Sequence, residues 1–465
     1  MIKNIVALLL LVAFVQSARS HSGANHFQET QRSIYASIKF EDYPKGMQAI
    51  QKLDLDVTGV DKKNKIADVF VTTEQYKALK ELNFRIIENK SSKALKAVDE
   101  KYKSPDEIEA ILKEWEKENS DIAKLHIIGQ SSEGRNIYAM KISDNVSLKE
   151  DGESAILFNS MHHAREVMSP EVTLDIIESL ITNYKTDAKI KNYVDSNEIW
   201  VVPMINVDGN AKVWSGSSMW RKNTNYGHGV DINRNYPYLW GTCNGSSGWT
   251  WSSTYRGPTA GSEPESKALM NLVKTIRPVF NISYHSYSEI VIYPMGCSGS
   301  RTQTKEVVEK IGKEIGESIQ YEAGTAWELL YSVDGSDIDW MYNAYQVIPY
   351  VIEVNSRSQG FQPNYDKWRD KTVQRNRAAW MKLLDRMSQS GVKGQLDATY
   401  PSPESYQIEV RTEAGEIFQN YRINPNGTFH IVLNEGKYTF TLKKGRSTVD
   451  SKVVSVESSL KNINF

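Results

Sequence analysis

The sequence is poor in cysteine, in surplus charge and in long apolar runs. It has 465 residues but only two cysteines, Cys243 and Cys297. At most one disulfide can therefore form within the chain, and the alternative is two separate buried thiols. The formal net charge is -1, so the sequence gives no indication of a nucleic-acid partner. The length is that of about three domains of roughly 100–200 residues each.

The first residues have the pattern of a secretory signal peptide. Lys3 precedes an apolar run from Ile5 to Val15, which is too short to span a bilayer of about 30 Å. Cleavage after Ser17 or Ser20 fits the spacing of the small residues that follow, and a buried core helix is the alternative. We therefore expect residues 1–20 to be removed and the protein to be secreted or periplasmic. No cysteine lies directly after the run, so a lipid anchor is not expected, and no later segment is apolar enough to predict a membrane anchor.

The rest of the chain divides into four segments. Residues 21–89 alternate short strands with helices, as a small α+β domain does, and hold no catalytic constellation. Residues 90–103 contain five lysines and few bulky apolar side chains, which is typical of an exposed linker. Residues 104–390 alternate buried-strand runs with amphipathic helices, which predicts an α/β fold with a mixed central sheet and helices on both faces. Residues 391–465 hold short strands and turn signals, which predicts a small β-sandwich.

Three residues near the ends of predicted strands are candidate metal ligands. His163 and Glu166 follow a buried-strand run and can bind one cation if the chain turns into a helix there. This H-x-x-E pair is a weak signal alone, and a third ligand is needed. His285 ends another buried strand and can face the same sheet edge. Two histidines and one glutamate, with one position open for water, form a catalytic zinc set, so we expect one Zn²⁺ per chain.

Other polar residues suggest what the metal acts on. Arg221, Asn233 and Arg234 lie close together in sequence among aromatic residues. Arginine suits bidentate capture of a carboxylate, although a single exposed arginine is usually only solvated charge. Glu353 ends an apolar strand, where a carboxylate needs a partner or a function. It is either a general base or one half of a salt bridge with Arg357.

In combination these motifs resemble the zinc carboxypeptidase family of carboxypeptidases A, B and T. The resemblance runs from about Tyr102 to about Trp380. Its motifs, in chain order, are Glu133-Gly134-Arg135-Asn136-Ile137, His163-x-x-Glu166, Trp220-Arg221-Lys222, Asp231-Ile232-Asn233-Arg234-Asn235, Tyr255-Arg256-Gly257, Ser262-Glu263-Pro264-Glu265, His285-Ser286-Tyr287, Tyr331 with Asp339-Trp340, and Glu353.

The resemblance implies a role for each residue. It makes His163, Glu166 and His285 the zinc ligands, Glu353 the general base, and Arg221 the group that stabilises the oxyanion. The residues implied to bind substrate are Asn233, Arg234 and Tyr331 at its terminal carboxylate, and Arg165, Ser286, Tyr287 and Phe361 further out. The stretch between Glu353 and Phe361 is one residue shorter than in the animal enzymes.

Two neighbouring residues give different indications of specificity. In the family, the residue before the Asp339-Trp340 pair lies at the base of the side-chain pocket, and it is apolar in A-type enzymes but Asp in B-type enzymes. Ile338 at this position implies a preference for apolar or aromatic C-terminal residues. Asp337 leaves a mixed preference for Lys or Arg open if its side chain tilts inward, and the alternative is that it points away.

The resemblance extends to the flanking segments. Residues 21–89 resemble a propeptide that covers the cleft, so an activating protease that cuts the 90–103 linker is implied as a partner. Residues 391–465 resemble a transthyretin-like regulatory module. The expected substrates are the C-termini of peptides or proteins, and the expected state is a monomer. A catalytically dead binding protein and a hydrolase of cell-wall isopeptide or D-residue bonds are the alternatives.

Overall fold

The computed structural model describes residues 34–91, 97–148, 150 and 152–465. The predicted signal peptide, the start of the propeptide-like segment and residues 92–96 of the linker lie outside the described residues. Among the described residues, no helix is long and apolar enough to cross a membrane.

The N-terminal unit is a four-stranded antiparallel sheet with two helices. Its elements are β1 (Ile34–Lys39), α1 (Tyr43–Lys52), β2 (Asp56–Asp61), β3 (Ile66–Val71), α2 (Thr73–Glu81) and β4 (Arg85–Ser91). The strand order is β2-β3-β1-β4. The predicted capping box is present, since the Thr72 hydroxyl accepts from the Gln75 N–H and the Gln75 side chain accepts from the Thr72 N–H. Alternating side chains such as Ala36 and Ile38 form a hydrophobic core of the unit's own.

The linker joins the catalytic domain earlier than expected. Tyr102 is fully buried. Its hydroxyl donates to the carbonyl of Pro363 at 2.9 Å, and its ring packs edge-on against Tyr365. The expectation of an exposed linker up to residue 103 is therefore wrong at Tyr102, whose single large aromatic side chain anchors the segment just before the next helix.

An eight-stranded mixed sheet forms the centre of the molecule. Its strands are β5 (Ala123–Gln130), β6 (Asn136–Ile142), β7 (Ser154–Ser160), β8 (Asn197–Val202), β9 (Phe280–Ser286), β10 (Ile290–Tyr293), β11 (Glu322–Thr325) and β12 (Ile348–Val354). The spatial order is β11-β10-β12-β9-β7-β8-β6-β5. Strands β12, β9, β7 and β8 run parallel, and β10 and β6 are antiparallel to their neighbours in this parallel block.

Helices flank this sheet. They are α3 (Pro105–Glu118), α4 (Met168–Asn183), α5 (Ala188–Ser196), α6 (Val207–Trp214), α7 (Pro264–Ile276), α8 (Lys305–Ile319), α9 (Ala326–Leu329), α10 (Asp337–Tyr345) and α11 (Tyr365–Arg386). The central strands β7 and β9 are buried along nearly their whole length because helices cover them. This confirms the predicted fold class. The carboxyl ends of the parallel strands meet at one edge, where polar side chains gather.

The two cysteines form a disulfide. The Cα atoms of Cys243 and Cys297 are 5.8 Å apart. The bond joins a long loop after Arg234 to the segment that follows β10. Asp334 supports the same loop, since its carboxylate accepts from the backbone N–H groups of Cys243 and Gly245 at 3.0 and 2.9 Å. The disulfide therefore ties together two segments that border the polar edge of the sheet.

The C-terminal unit consists of two packed sheets. Its strands are β13 (Gly391–Gln395), β14 (Tyr406–Thr412), β15 (Ile417–Arg422), β16 (Thr428–Val432), β17 (Gly436–Lys444), β18 (Ser447–Val456) and β19 (Leu460–Asn462). The sheets have the orders β16-β13-β19 and β15-β14-β17-β18. Their inner side chains, such as Ile408 and Phe440, belong to one continuous core with the catalytic domain. Arg386, at the end of α11, donates to the carbonyls of Ser390 and Leu433 across the junction.

Removing the disulfide should destabilise the chain. The bond closes a loop of 54 residues, so the Cys243→Ala/Cys297→Ala double variant should lose about 2–5 kcal/mol of unfolding free energy. Urea unfolding followed by tryptophan fluorescence measures this loss. A reducing agent should lower the unfolding midpoint of the wild type and leave that of the double variant unchanged. Equal midpoints for the wild type and the double variant in the absence of the reducing agent would contradict the prediction.

Candidate active site

Three buried side chains direct their donor atoms to one point. His163 and Glu166 lie in the turn between β7 and α4, and His285 lies near the end of β9. The Nδ1 atom of His163 is 2.7 Å from Glu166 Oε1 and 3.1 Å from Nδ1 of His285, which is 2.9 Å from Glu166 Oε2. Two nitrogen ligands of a tetrahedral zinc ion lie about 3.3 Å apart, because each bond is about 2.0–2.1 Å. The three side chains therefore fit a zinc ion.

Asp231 orients two of the neighbouring groups. One of its carboxylate oxygens accepts from Nε2 of His163 at 3.2 Å, and the other accepts from Nη2 of Arg221 at 2.8 Å. Because an ionised carboxylate only accepts hydrogen bonds, the His163 proton lies on Nε2 and the Nδ1 lone pair is available for a metal. Burial would raise the pKa of Asp231, but the charge of Arg221 and the hydrogen bond from His163 hold it well below its usual range.

Glu353 faces the metal ligands from the next strand. Strands β12 and β9 are parallel neighbours, and their register places Glu353 opposite His285. Burial raises the pKa of Glu353 to about 7, and the negative charge of Glu166 adds to this effect. A bound cation would lower that pKa. Arg357, the alternative partner for Glu353, forms its ion pair with Asp68 at 2.9 Å.

The cationic residues lie beside Glu353 and the metal ligands. Arg221, Asn233 and Arg234 line the same pocket as His163 and Glu353. Asn233 and Arg234 belong to a short 3-10 turn that begins after Asp231. The Asn233 carbonyl oxygen Oδ1 accepts from the backbone N–H of residue 337 at 3.0 Å, which fixes the orientation of the amide. Arg234 Nη2 donates to the Tyr331 hydroxyl at 3.5 Å.

The pocket beyond these polar groups is apolar. The uncharged side chains and glycine that line it are Ile292, Gly296, Ala326, Leu330, Val333, Ile338 and Val351. Ile338 lines the pocket and is buried at the start of α10. Most of the other lining positions carried no motif, so sequence patterns gave no signal for them. These apolar residues are distant from one another in sequence and form one wall only where β10, β12, α9 and α10 meet.

Asp337 points away from this pocket. Its side chain is fully buried and does not line the pocket wall. It lies on the side of the zinc ligands, 3.9 Å from Nε2 of His162. The His162 ring stacks on His285 with ring centroids 5.4 Å apart. The structure therefore does not show the inward tilt of Asp337 on which a mixed specificity would depend.

The outer substrate-binding candidates also lie together. The Arg165 guanidinium stacks over the Phe361 ring at 4.4 Å, and this ring packs edge-on against Tyr287 at 4.9 Å. Ser286 lies in the pocket lining, and its backbone N–H donates to Glu166 at 3.2 Å. The shorter stretch before Phe361 therefore does not displace this residue from Tyr287 and Arg165.

The N-terminal unit sits on the mouth of the pocket. Val57, Thr58 and Gly59 of β2 line the pocket together with the residues described above. A Cβ atom at Gly59 would lie only 2.1 Å from the Tyr287 ring, so only glycine permits this close approach. Asp56 forms two hydrogen bonds of 2.9 Å with the Arg165 guanidinium.

Comparison with known proteins agrees with this geometry. The family model of the zinc carboxypeptidases matches residues 108–378, which is more than half of the chain. The chain therefore belongs to the zinc carboxypeptidase family. It is an enzyme of the metallocarboxypeptidase class, and zinc is the metal of this family.

Two relatives illustrate the range of similarity. Carboxypeptidase B of Rattus norvegicus is 28% identical over 394 residues, which cover 76% of this chain and 92% of the relative. A zinc carboxypeptidase of Saccharothrix mutabilis subsp. capreolus is 31% identical over 266 residues, which cover 53% of this chain and 60% of the relative.

A solved structure shares the fold. The crystal structure of the carboxypeptidase A from Helicoverpa armigera superimposes with a TM-score of 0.64 at 23% identity. The superposition covers 77% of this chain and 97% of the Helicoverpa armigera protein.

Replacing Glu353 by glutamine should abolish turnover and preserve metal binding. The amide cannot take up a proton at neutral pH, so kcat for a blocked C-terminal dipeptide should fall by at least about 10²–10⁴-fold. Zinc content, measured by atomic absorption after dialysis, should stay at the wild-type level because Glu353 is not among the converging ligands. Turnover retained by Glu353→Gln would contradict its role as a base.

A second prediction concerns the carboxylate that orients His163, and it has its own control variant. Asp231→Asn removes the charge behind His163, and zinc affinity should fall by about 10–100-fold in competition with a chelator. Asp121→Asn changes an exposed aspartate in the same way and should leave zinc affinity unchanged.

Proposed function

We propose that this protein is an exopeptidase that removes the C-terminal residue from peptides and proteins. The observation that carries the proposal is the single pocket that joins the His163, Glu166 and His285 cluster to Glu353, Arg234 and an apolar wall. A metal cluster alone supports only a hydrolase. The cationic groups beside it add a binding site for the free carboxylate of a chain end, which an internal peptide bond lacks.

Each residue has a distinct task in the proposed reaction. When bound, zinc lowers the pKa of a coordinated water and polarises a carbonyl group. Glu353 removes the proton from the attacking water and later delivers it to the leaving amine. Arg221, held by Asp231, stabilises the negative charge that develops on the carbonyl oxygen of the substrate.

Three residues that bind the terminal carboxylate of the substrate, here called the carboxylate clamp, set the distance between the chain end and the reacting bond. Arg234 and Asn233 bind the terminal carboxylate, and Tyr331 donates a further hydrogen bond to it. The neighbouring pocket then receives the side chain of the last residue. Because its walls are Ile292, Val333, Ile338 and other uncharged groups, we propose a preference for apolar or aromatic residues.

We also propose that the N-terminal unit keeps the enzyme latent until the linker is cut. Residues of β2 line the pocket mouth. Asp56 forms an ion pair with Arg165, and the resemblance makes Arg165 a substrate-binding residue. A peptide and the N-terminal unit therefore compete for the same side chains. The unit's own core supports its removal as one piece. Export through a signal peptide is part of the same proposal.

A panel of blocked dipeptides tests the activity and its specificity. Peptides that end in Phe or Leu should be hydrolysed with kcat/KM at least about tenfold above those that end in Lys, Arg or Glu, because charge is costly in an apolar pocket. Ile338→Asp should shift the preference to Lys and Arg, whereas Asp337→Asn should leave the ranking unchanged. Absence of chelator-sensitive hydrolysis of every dipeptide would refute the exopeptidase, and hydrolysis of an isopeptide alone would indicate the cell-wall alternative.

Cleavage in the linker should release activity. The intact chain should hydrolyse the best dipeptide at least about tenfold more slowly than the chain cut by a protease between residues 90 and 101. Asp56→Asn leaves the buried Arg165 without a charged partner, so the intact variant should be more active than the intact wild type. Glu81→Gln changes an exposed acid of the same unit and should not alter latency. Equal activity of the intact and cut wild-type chains would contradict latency.

A further inference from the structure

One buried carboxylate beside the active site has no part in the proposed reaction. Asp334 follows Val333, which lines the pocket, and its own side chain is fully buried. The backbone N–H groups of Cys243 and Gly245 donate to its Oδ2 atom at 3.0 and 2.9 Å, and the Ser246 hydroxyl donates to its Oδ1 atom. None of these three donors is charged. A carboxylate buried among neutral donors costs free energy, which points to a local function.

The loop that Asp334 holds also contacts a cationic residue of the pocket. The carbonyl of Gly245 accepts from Nε of Arg234 at 3.0 Å, and the carbonyl of Asn233 accepts from Nη1 at 2.8 Å. These two contacts fix the plane of the guanidinium, with its Nη2 atom 3.5 Å from the Tyr331 hydroxyl. Gly245 therefore links the buried carboxylate to the guanidinium, since its N–H donates to Asp334 and its carbonyl accepts from Arg234.

Close packing keeps these segments in place. A Cβ atom at Gly245 would lie 2.3 Å from the backbone nitrogen of Asp334, so only glycine permits this approach. Gly335 has a φ of +66°, and a Cβ atom there would lie 2.4 Å from the carbonyl oxygen of Arg234. The segment 333–335 therefore touches both the loop and the backbone of the arginine.

Other links join the same segments, and one of them is lost in the proposed activation. The disulfide at Cys243 fixes the start of the loop. In the intact chain, Nε2 of Gln51 in α1 donates to the carbonyls of Asn244 and Ser332 at 2.9 and 2.8 Å. This bridge leaves with the N-terminal unit. Asp334 and the disulfide then still join the two segments in the cut enzyme.

We propose that Asp334 is a positioning residue of the carboxylate clamp. It orients Arg234 through the loop 243–246, so that the guanidinium meets the terminal carboxylate of the substrate at a fixed angle. Asp334 is not part of the pocket lining, and its oxygens face the loop. The inference rests on the proposed exopeptidase function and adds a residue on which the selection of a free chain end depends.

The effect of Asp334 should be specific for the terminal carboxylate. A guanidinium without a fixed plane forms weaker paired hydrogen bonds with a carboxylate, whereas the apolar wall still binds the side chain of the last residue. Loss of Asp334 should therefore appear mainly in KM, with kcat little changed. A general disturbance of the fold would instead weaken the binding of ligands with and without a carboxylate.

The first experiment measures hydrolysis of a blocked dipeptide that ends in Phe by the chain cut in the linker. Asp334→Ala should raise KM about tenfold and change kcat by less than about threefold. Asp334→Asn keeps one oxygen for the backbone N–H groups but loses the charge, so KM should rise about threefold. Asp397→Ala removes an exposed aspartate that accepts from a backbone N–H in a loop of the C-terminal unit, and it should leave KM unchanged.

Two competitive inhibitors separate positioning from general damage. Hydrocinnamate carries a carboxylate and a phenyl ring, and hydrocinnamamide carries a neutral amide in place of the carboxylate. In Asp334→Ala, the inhibition constant of the acid should rise about tenfold, and that of the amide should stay at the wild-type value. An equal rise for both inhibitors overturns the inference.

A double-mutant cycle tests whether Asp334 acts through Arg234. In an Arg234→Gln background, Asp334→Ala should lower kcat/KM by less than about twofold, because the guanidinium that it orients is gone. A tenfold loss in both backgrounds overturns the inference, and so does an unchanged KM in Asp334→Ala. If the Ala variant fails to fold, the Asn variant decides by the same comparisons. Failure of the cut wild type to hydrolyse any blocked dipeptide refutes the proposed function instead, so the two failures are distinguishable.

Discussion

The buried carboxylate of Asp231 is the group on which the arrangement of the active site depends. It accepts from His163, from Arg221 and from the backbone N–H of Asn233. These partners come from three separate loops: the turn after β7, the segment after α6 and the short turn that holds Asn233 and Arg234. A single anion thus fixes His163, the Arg221 guanidinium and this turn relative to one another. The desolvation of Asp231 is offset because its two oxygens accept four hydrogen bonds, two of them from the charged Arg221 guanidinium.

Sequence patterns predicted the parts of the site that lie at strand ends. His163 and His285 could be recognised because a buried strand precedes each of them and because the carboxyl ends of neighbouring parallel strands meet. The direction of Asp337 could not be predicted, since Asp337 and Ile338 are adjacent at the start of a helix. Only the placement of that helix against β12 decides which of the two side chains faces the pocket. The partner of Arg357 was also beyond local patterns, because Asp68 lies 289 residues away in sequence. Tyr102 shows the same limit, since its burial depends on Pro363 and Tyr365.

The two flanking units relate to the catalytic domain in different ways. The C-terminal sheets share a continuous hydrophobic core with it, so separating them exposes apolar surface. The N-terminal unit has its own core. It meets the catalytic domain through polar contacts, such as Asp56 with Arg165 and the Tyr43 hydroxyl with the Leu329 carbonyl at 2.7 Å, and through a small hydrophobic cluster in which Phe70 joins Tyr287 and Phe361. The boundary that the proposed activation opens is therefore the one that lies between two separate hydrophobic cores.

The separate core of the N-terminal unit has a consequence for the time after cleavage. While the linker is intact, the unit meets the cleft at an effective concentration of the order of millimolar. Once the linker is cut, the same contact becomes bimolecular and its occupancy follows the bulk concentration of the released unit. Under the proposed latency, a concentrated solution of the cut protein would therefore stay partly self-inhibited, and dilution would complete the activation. The protein's surroundings, through simple dilution, become part of its control.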